Sequence, residues 1–396
     1  MDFITVAQAS QIVLENTQNF GVETIPFQES KGRILAEEIQ ADRDFPPFDR
    51  VTMDGIAIQG KVYESGQKTF AVASIQYAGE PQKTLDNKNA CVEIMTGASL
   101  PKNTDSVIRY EDVTLKDGVA TLNNGLPMFK NVHKKGHDRR KGEVLLAKGH
   151  QLKSADLAIL ATTGKEHVKV NKLPKIAIIT SGDELVEVNE TPESHQIRKS
   201  NIYAISSLME SFASEIRQFH LKDELQESIE MLQNIFDNYD AIILSGGVSA
   251  GKKDYLPQAL AAVGAEKLFH KIQQRPGKPM WFGKKGKTLA FALPGNPVSS
   301  FMCAVRYVLP WLQKSIGLKI ENEMAILAEE ISFKPKLGYF LQVKLKNENG
   351  HLKAFPIEGG GSGDLANLSL NDAFLELPNQ ESNCFEKGSV YPIWRF

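Results

Sequence analysis

The sequence predicts a multidomain protein of mixed α/β and β class, with a central doubly wound, mainly parallel α/β domain. Between residues 174 and 320, buried apolar strands alternate with helical segments, which is the pattern of a parallel sheet covered by helices. Before and after that region, short runs of alternating residues are broken by Gly, Pro and Asn, which favours β structure. A chain of 396 residues is long enough for about two to four such domains.

Composition and charge exclude several classes of protein. Lys and Arg number 46 against 48 Asp and Glu, and this near-neutral balance argues against a dedicated nucleic-acid binder. The three cysteines, Cys91, Cys303 and Cys384, form no close pair, so a disulfide framework or a thiolate zinc site is not expected. Neither a signal peptide nor an apolar run of about 20 residues is present. We therefore expect a cytoplasmic protein that binds neither nucleic acid nor membrane.

Two helices flank the first β-rich region. The first is predicted from its N-cap Thr5 to about Phe20, because apolar residues recur there at helical spacing. The second is predicted to start at its N-cap Ser154 and to stop at Gly164. Since their apolar faces suit each other, we predict that they share one discontinuous domain into which the β-rich stretch is inserted.

The central region contains two predicted buried strands, 175–180 and 241–245. Helices are predicted from about Ser200, over 224–237 with Asp223 as N-cap, and from Pro297 to about Ser315 with Asn296 as N-cap. After residue 323, strands of period two indicate a small β-barrel or a sandwich, of which we predict the barrel. The predicted domains are a helical and extended domain of residues 1–23 plus 145–173, a β-rich insertion of 24–144, an α/β domain of 174–320 and a barrel of 321–396.

Three loops of the α/β domain follow predicted strands, where doubly wound sheets bind their ligands. Each such loop alone is more often a structural turn, but three glycine-containing loops in one sheet, with acids among them, make a phosphate site an equally good interpretation. The chemistry-bearing residues of these loops are Glu184 in the first, Ser245, Gly246, Gly247, Ser249 and the following Asp254 in the second, and Pro294, Asn296 and Pro297 in the third.

Lys271, Arg275 and Lys278 surround a turn bounded by prolines. Fixed cations beside glycine loops suit a phosphorylated ligand or an oxyanion, although a solvated hairpin would have the same composition.

In the β-rich region, Asp54 lies in a Met-Asp-Gly sequence and Thr96 in a Met-Thr-Gly sequence. Asp-Gly is also a common hairpin turn, so a local structural role for Asp54 stays open. The basic segment 133–143, which contains Arg139, is either a solvated face or an anion-binding loop.

Asp54, Glu184 and Asp254 are the candidate metal ligands. Carboxylates without clustered His or Cys favour a hard ion, which in a phosphate site is Mg²⁺. The histidines show no metal-ligand spacing and are interpreted as ordinary surface groups.

Eight motifs occur along the chain in the order of one known family: FPPFDRVTMDG, IMTGASLP, RRKGE, TSGDELV, SGGVSAGKKDY, RPGKP, LPGNPVS and GGSGDLANLS. The chain resembles, essentially from end to end, the MoeA/gephyrin E-domain family of molybdopterin molybdenumtransferases. This resemblance implies a molybdopterin-binding-like α/β domain and a Mg²⁺-dependent reaction of molybdate with adenylylated molybdopterin that yields molybdenum cofactor and AMP. It also implies an elongated homodimer, whose cleft combines the α/β domain of one subunit with the β-rich domain of the other, and transient contact with other cofactor-synthesis proteins.

The resemblance also assigns individual residues, each at a position that matches a family motif. The residues it implies for catalysis are Asp54, Thr96, Glu184, Asp254, Lys271, Arg275 and Lys278. Those it implies for substrate binding are Arg139, Asp223, Ser245, Gly246, Gly247, Ser249, Pro294, Pro297 and Ser362.

Three positions depart from the family pattern. Val144 stands where a carboxylate is common, Ile56 replaces a common Tyr, and a late-strand arginine is replaced by Gln342 or Lys344. These departures leave two alternatives to the enzyme: an inactive or tungstate-selective paralogue that acts as a pterin- or nucleotide-binding module, and a scaffold. The scaffold is disfavoured because the chain lacks the appended domain and long linker of the eukaryotic relatives.

Overall fold

A computed structural model describes residues 2–128, 130–222, 224–247 and 255–396. The chain forms two compact units. The first unit comprises Met1–Glu23, Gly32–Ile34 and Lys169–Phe396, and the second comprises Thr24–Lys31 and Leu35–Val168. The finer division into four domains stays a prediction. In the part of the chain that the structure describes, no helix is long and apolar enough to cross a bilayer.

The first unit is built on a mainly parallel sheet, as predicted. Among the described residues this central sheet has seven strands, and only Trp281–Lys285 runs antiparallel to its neighbours. The order across the sheet is Asp2–Ile4, Glu266–Ile272, Trp281–Lys285, Thr288–Leu293, Ala241–Ser245, Lys175–Ser181 and Glu215–Leu221.

Helices cover both faces of the central sheet, which confirms the doubly wound arrangement. Successive side chains of a strand point to opposite faces, so Ile176 and Ile178 enter one apolar cluster while Ala177 and Ile179 enter the other. The first face is covered by Val6–Glu15, Asn201–Met209 and the long helix described below, and the second by Leu225–Asn238 and Leu256–Ala262.

The amino-terminal helix, Val6–Glu15, is shorter than the predicted helix. Its start agrees with the prediction: the Thr5 hydroxyl accepts a hydrogen bond from the Gln8 amide, and the Gln8 side chain accepts one from the Thr5 amide. Its end lies five residues before Phe20, because the Asn16 side chain donates to the Ile12 carbonyl at 2.8 Å and closes the last turn. Phe20 lies outside the helix, and its apolar ring packs edge-to-face on Trp311.

The predicted helix from Pro297 to Ser315 is confirmed as one continuous helical stretch, called here the long helix. It consists of the α-helices Pro297–Cys303 and Leu309–Ser315, joined by a π-helical turn at Ala304–Val308. The helix Leu225–Asn238 is confirmed within one residue at each end, whereas its predicted cap, Asp223, lies outside the described residues.

A closed barrel of five strands forms the carboxyl-terminal part of the first unit, as the alternating pattern predicts. Around the barrel the strands are Gly338–Glu348, His351–Pro356, Glu323–Leu327, Val390–Arg395 and Ala373–Leu377, and the last pairs again with the first. Val343, Leu375 and Ile393 belong to its apolar core.

The second unit is β-rich, which agrees with the prediction for the insertion. Its main sheet contains, in order, Ser106–Arg109, Gly55–Ile58, Ala90–Ile94, Thr69–Gln76, Val119–Leu122 and Val113–Lys116. Shorter ribbons pair Arg50–Val51 with Val132–His133 and Ile39–Gln40 with Val144–Leu146. Its helices among the described residues are Gly60–Glu64 and Ser154–Thr162. The remaining short strands of the chain are Val22–Pro26, His167–Asn171, Leu185–Val186, Ile197–Arg198, Gln274–Arg275, Ile331–Ser332 and Cys384–Phe385.

The cap of the helix Ser154–Thr162 differs from the prediction. Ser154 is the first helical residue, and Lys153 takes the N-cap position. The Asp156 carboxylate accepts a hydrogen bond from the Lys153 amide at 2.7 Å, which shifts the cap by one residue.

Arg306 joins the long helix to the barrel. Its guanidinium is buried, and its Nε donates to Glu376 Oε2 of the barrel at 2.7 Å. Trp394 of the barrel lies over the guanidinium at 4.1 Å and also donates to Glu376, while Arg306 Nη1 donates to Ser10 of the amino-terminal helix at 3.0 Å. One cation therefore holds three elements of the first unit together.

Replacing this cation should destabilise the first unit. Arg306→Met leaves the Glu376 carboxylate in a largely buried position without its cation, and we expect a loss of about 3 kcal/mol in the free energy of unfolding. The half-exposed pair between Lys344 and Asp372 is a matched control, since Lys344→Met should cost less than about 1 kcal/mol. Urea titrations of the two variants measure both values. Equal losses would show that Arg306 is no more than a surface cation.

Candidate active site

Three neighbouring parallel strands end at the same edge of the central sheet. Register places Thr180 beside Ser245, and Ser245 beside Leu293, so the loops that follow them begin at one level. The Gly246 amide donates to the Leu293 carbonyl at 3.2 Å and ties two of these loops together. The structure thus brings together the strand ends that the sequence singled out.

Gly246 and Gly247 serve the close approach of two loops. Both have positive φ, +100° and +70°. A Cβ on Gly247 would lie 2.8 Å from the Ser181 hydroxyl oxygen, so a larger residue would force the loops apart. Anion binding by their backbone amides stays a prediction. Ser249 and Asp254, which belong to the same predicted loop, lie outside the described residues.

Ser245 is buried and anchors the strand ends. Its Oγ lies 3.1 Å from the Ser300 hydroxyl and accepts a hydrogen bond from the Asn201 side chain at 2.9 Å. Asn201 donates also to the Gly295 carbonyl at 2.8 Å. Sequence analysis missed Asn201 and Ser300. The position of Asn201 at the start of a helix after the first strand-end loop was the available signal.

The third loop carries Pro294 and opens the long helix at Pro297, as predicted. Asn296 occupies the N-cap position, but its predicted capping hydrogen bond is absent there. Its side-chain amide instead donates to the Ser362 hydroxyl at 2.9 Å. The Val298 amide donates to the Ser362 carbonyl at 3.0 Å, so Ser362 contacts the start of the long helix through two hydrogen bonds.

The turn that carries Arg275 and Lys278, called here the cationic turn, is fixed by hydrogen bonds to buried side chains. Gln274 is buried, and its side-chain amide donates to the Gly277 carbonyl at 3.1 Å. The Tyr307 hydroxyl of the long helix donates to Gln274 Oε1. Arg275 and Lys278 are exposed on this turn, while Lys271 is half-buried with a φ of +70°.

A cleft of about 830 Å³ lies between the cationic turn, the start of the long helix and the barrel. The cleft is lined by three residues of the predicted site, Arg275, Lys278 and Ser362, and also by Asn296. The barrel contributes Gln342, which the sequence marked as a departure from the family pattern, and four side chains that the sequence did not single out, namely Glu330, Phe333, Tyr339 and Glu358. A barrel residue gives no local sign of which neighbour its loop faces, so no signal in the sequence would have found them.

The two positions considered for the missing late-strand arginine have different surroundings. Gln342 lines the cleft. Lys344 instead pairs with Asp372 at 2.7 Å. Tyr339 stacks on Phe333 with ring centroids 4.2 Å apart, and burial raises the pKa of its hydroxyl. This wall of the cleft is therefore neutral at Gln342 and aromatic beside it.

Glu184 belongs to the first unit and is exposed in the first strand-end loop. Its carboxylate folds back over Gly182, where a Cβ would lie 2.5 Å from Glu184 Oε2. This carboxylate is an accessible oxygen donor.

Asp54 belongs to the second unit, where its carboxylate accepts a hydrogen bond from the Thr96 amide at 2.6 Å. This bond, with a further one from the Thr96 side chain, lowers the pKa of Asp54. Asp54 is fully exposed and therefore stays ionised at neutral pH. Thr96 therefore lies beside Asp54 and contacts its carboxylate through the backbone amide.

Arg139 also belongs to the second unit and is exposed. Its carbonyl accepts a hydrogen bond from the Phe45 amide at 2.8 Å. This bond fixes the basic segment 133–143, called here the basic loop, against the segment 45–48, which contains two successive prolines. Part of the positive charge of this loop is paired, since Lys134 lies 2.9 Å from Asp49. Val144, the departure from the family pattern, is exposed in the strand that follows.

The donor chemistry of the predicted metal ligands fits Mg²⁺. Asp54 and Glu184 offer exposed carboxylate oxygens, and hard oxygen donors are what Mg²⁺ binds. The third predicted ligand, Asp254, and the predicted substrate ligand Asp223 lie outside the described residues. The metal assignment therefore stays a prediction.

Three family models match successive regions of the chain. They are the MoeA N-terminal region (domain I and II) over residues 4–164, a probable molybdopterin binding domain over 177–314, and the MoeA C-terminal region (domain IV) over 324–396.

Curated and solved proteins agree with these models. The chain is 39% identical to a molybdopterin molybdenumtransferase of Synechocystis over 397 residues, which covers 99% of each protein. It is 30% identical to the protein of that name from Staphylococcus aureus strain Mu50, covering 98% of this chain and 95% of the other. A crystal structure of the molybdopterin biosynthesis MoeA protein from Pyrococcus horikoshii OT3 is 28% identical and superposes with a TM-score of 0.83 over the whole of both chains.

The fold and the cationic cleft, together with these matches, define a multidomain transferase of molybdenum cofactor biosynthesis. The chain belongs to the MoeA family of molybdopterin molybdenumtransferases.

The rigidity of the cationic turn depends on Gly277. Its φ is +84°, and a Cβ there would lie 2.5 Å from the buried Cys303 Sγ of the long helix. Gly286 is a matched control, with a φ of +59° and open space around it. We expect Gly286→Ala to cost about 1 kcal/mol of strain, and Gly277→Ala to cost a further amount of about 1–3 kcal/mol from overpacking. Urea titrations compare the two, and equal costs would refute the packing role of Gly277.

Proposed function

We propose that this protein inserts molybdate into adenylylated molybdopterin and releases AMP in a Mg²⁺-dependent reaction. The observation that carries the proposal is the cleft of the first unit, in which Arg275, Lys278 and Ser362 meet the start of the long helix. The name shared by the relatives supports the substrates, and the cleft supplies the chemistry that their anionic groups require.

Arg275 and Lys278 would bind the oxyanion. Both are exposed on a turn fixed by Gln274 and Gly277, so their charges are available without a large loss of conformational freedom. A guanidinium offers paired donors to two oxygens, whereas an ammonium acts as a compact charge. Ser362 adds a hydroxyl beside the amino end of the long helix, where the helix dipole favours negative charge.

Glu358 and Glu330 also line this cleft, so two acids balance the formal charge of Arg275 and Lys278. An acid beside the cations weakens binding of a simple anion but leaves room for a ligand that carries both a phosphate and donor groups, such as a pterin nucleotide. The mixed lining therefore supports a nucleotide-linked substrate together with a small oxyanion.

Asp54, Glu184 and Asp254 are each proposed as a ligand of Mg²⁺. When bound, the ion would neutralise charge on the phosphoanhydride of the substrate. The chain's own contribution at Asp54 is an ionised carboxylate, because the Thr96 amide stabilises the negative form. We propose direct transfer without a protein-bound intermediate, since the predicted site contains no Ser/His/Asp or Cys/His nucleophile. Cytoplasmic location, a homodimer and transient contact with other cofactor-synthesis proteins belong to the same proposal.

The decisive experiment is turnover of adenylylated molybdopterin by the purified protein with molybdate and Mg²⁺, followed as release of AMP. Release that requires both ions supports the proposal. Binding of the pterin nucleotide without release would instead support an inactive binding module. Release with tungstate alone would support a metal-altered paralogue, and neither binding nor release would favour a scaffold.

The oxyanion role of Arg275 predicts a dependence on charge. Arg275→Ala removes a charge-assisted contact worth about 1.5–3 kcal/mol, so we expect the molybdate concentration for half-maximal rate to rise roughly ten- to a hundredfold. Arg275→Lys keeps the charge and should stay within about threefold of the wild type. Arg217→Ala is the control, because Arg217 is an exposed arginine on the edge strand Glu215–Leu221. Identical molybdate curves for the wild type, Arg275→Ala and Arg217→Ala would exclude the cationic turn from anion binding.

The carboxylate role predicts loss of activity without loss of stability. Asp54→Asn and Glu184→Gln keep the shape of exposed side chains, so the midpoint of thermal unfolding should stay unchanged while AMP release falls at least about tenfold. Asp117→Asn, in an exposed turn of the second unit, should be fully active. Chelation of Mg²⁺ should abolish release in the wild type, and added Mg²⁺ should restore it. Wild-type rates in both acid variants would contradict the metal assignment.

A further inference from the structure

Two histidines and an aspartate of the basic loop lie together in the second unit. His133 Nε2 is 3.2 Å from His137 Nδ1 and 2.9 Å from Asp138 Oδ1, and His137 Nδ1 is 3.5 Å from the same oxygen. A turn closed by the hydrogen bond from the His137 amide to the Lys134 carbonyl brings them together. Sequence spacing alone did not indicate that these histidines lie together, because the turn decides their separation.

These separations match a metal coordination sphere. When nitrogen and oxygen ligands lie about 2.0–2.1 Å from a tetrahedral ion, neighbouring ligand atoms are about 3.3 Å apart. The three observed separations lie on both sides of that value, so one ion could contact all three atoms after small side-chain shifts. We propose that His133, His137 and Asp138 form a binding site for a divalent transition metal of the zinc class.

The donor set selects against Mg²⁺. Two imidazole nitrogens and one carboxylate oxygen suit Zn²⁺, Co²⁺, Ni²⁺ and Cu²⁺, whereas Mg²⁺ prefers oxygen donors throughout. The site is thus chemically distinct from the carboxylates proposed for the reaction. Side-chain exposure of 69% at His137 and 51% at Asp138 leaves room for water as a fourth ligand.

The lysines beside the site are paired with acids, which weakens their repulsion of a metal cation. Lys134 lies 2.9 Å from Asp49, and Lys135 lies 3.7 Å from Asp44.

Arg50 competes with the metal. Its Nη2 lies 3.3 Å from His133 Nδ1, and because a guanidinium only donates, Nδ1 must accept. A neutral imidazole that binds metal through Nε2 carries its proton on Nδ1. Metal binding therefore breaks the contact with Arg50, and this cation tunes the affinity of the site.

The test is metal binding by the full-length protein after removal of metal with a chelator, measured without substrates. Titration with Zn²⁺ against a chromophoric chelator should show one tight site per chain, and Co²⁺ should give the visible absorption of a tetrahedral site. Loss of partners outside the coordination sphere already weakens metal binding about 10–100-fold, so loss of a ligand should cost at least about tenfold. His133→Gln, His137→Gln and Asp138→Asn should each show that loss. His351→Gln, in an exposed barrel strand, should bind Zn²⁺ as the wild type does. Arg50→Gln should bind it more tightly, since a glutamine oxygen can accept from Nδ1.

The proposal is overturned if the wild type binds no Zn²⁺, or if the three ligand variants bind it as well as the wild type. Unchanged affinity in Arg50→Gln would overturn the competition with Arg50. Thermal unfolding confirms that each variant is folded, so a loss of binding is not a loss of structure. Because the titration requires neither molybdate nor a pterin, its outcome is independent of the proposed reaction.

Discussion

The cleft of the first unit depends on one buried ion pair, between Arg306 of the long helix and Glu376 of the barrel. The long helix begins at the third strand-end loop, and Arg306 lies on the same helix, about two and a half turns further on. Pairing with Glu376 and contact with Trp394 therefore fix the barrel relative to the strand ends. The strand Gln274–Arg275, which leads into the cationic turn, also pairs with the barrel strand Gly338–Glu348, so the turn and the barrel line one cleft.

In the first unit, the residues that hold the loops in place are different from the residues proposed to bind the anion. Ser245, Ser300 and Gln274 are buried and satisfied within the protein, and they hold loops in place. Arg275 and Lys278 are exposed and carry the charge. This division explains why loss of a binding residue should reduce activity with little effect on stability, whereas loss of a positioning residue should affect both.

Periodicity and local chemistry were enough to predict the central sheet, the barrel, the long helix and the Thr5 cap, because each depends on residues close in sequence. Contacts between distant residues decided the rest. Asn296 was expected to cap a helix, yet its side chain bonds to Ser362, 66 residues away. Neither the position of Gln342 in the cleft wall nor the contact between Arg50 and His133 follows from sequence spacing. Both depend on how separate strands and loops pack.

The most direct test of this account is a crystal structure of the protein with tungstate, an oxyanion of molybdate's shape that scatters X-rays strongly. The account predicts one ordered tungsten position in the cleft, within hydrogen-bonding distance of Arg275 or Lys278 and close to Ser362. A fully occupied tungsten site elsewhere on the chain, with this cleft empty, would contradict it.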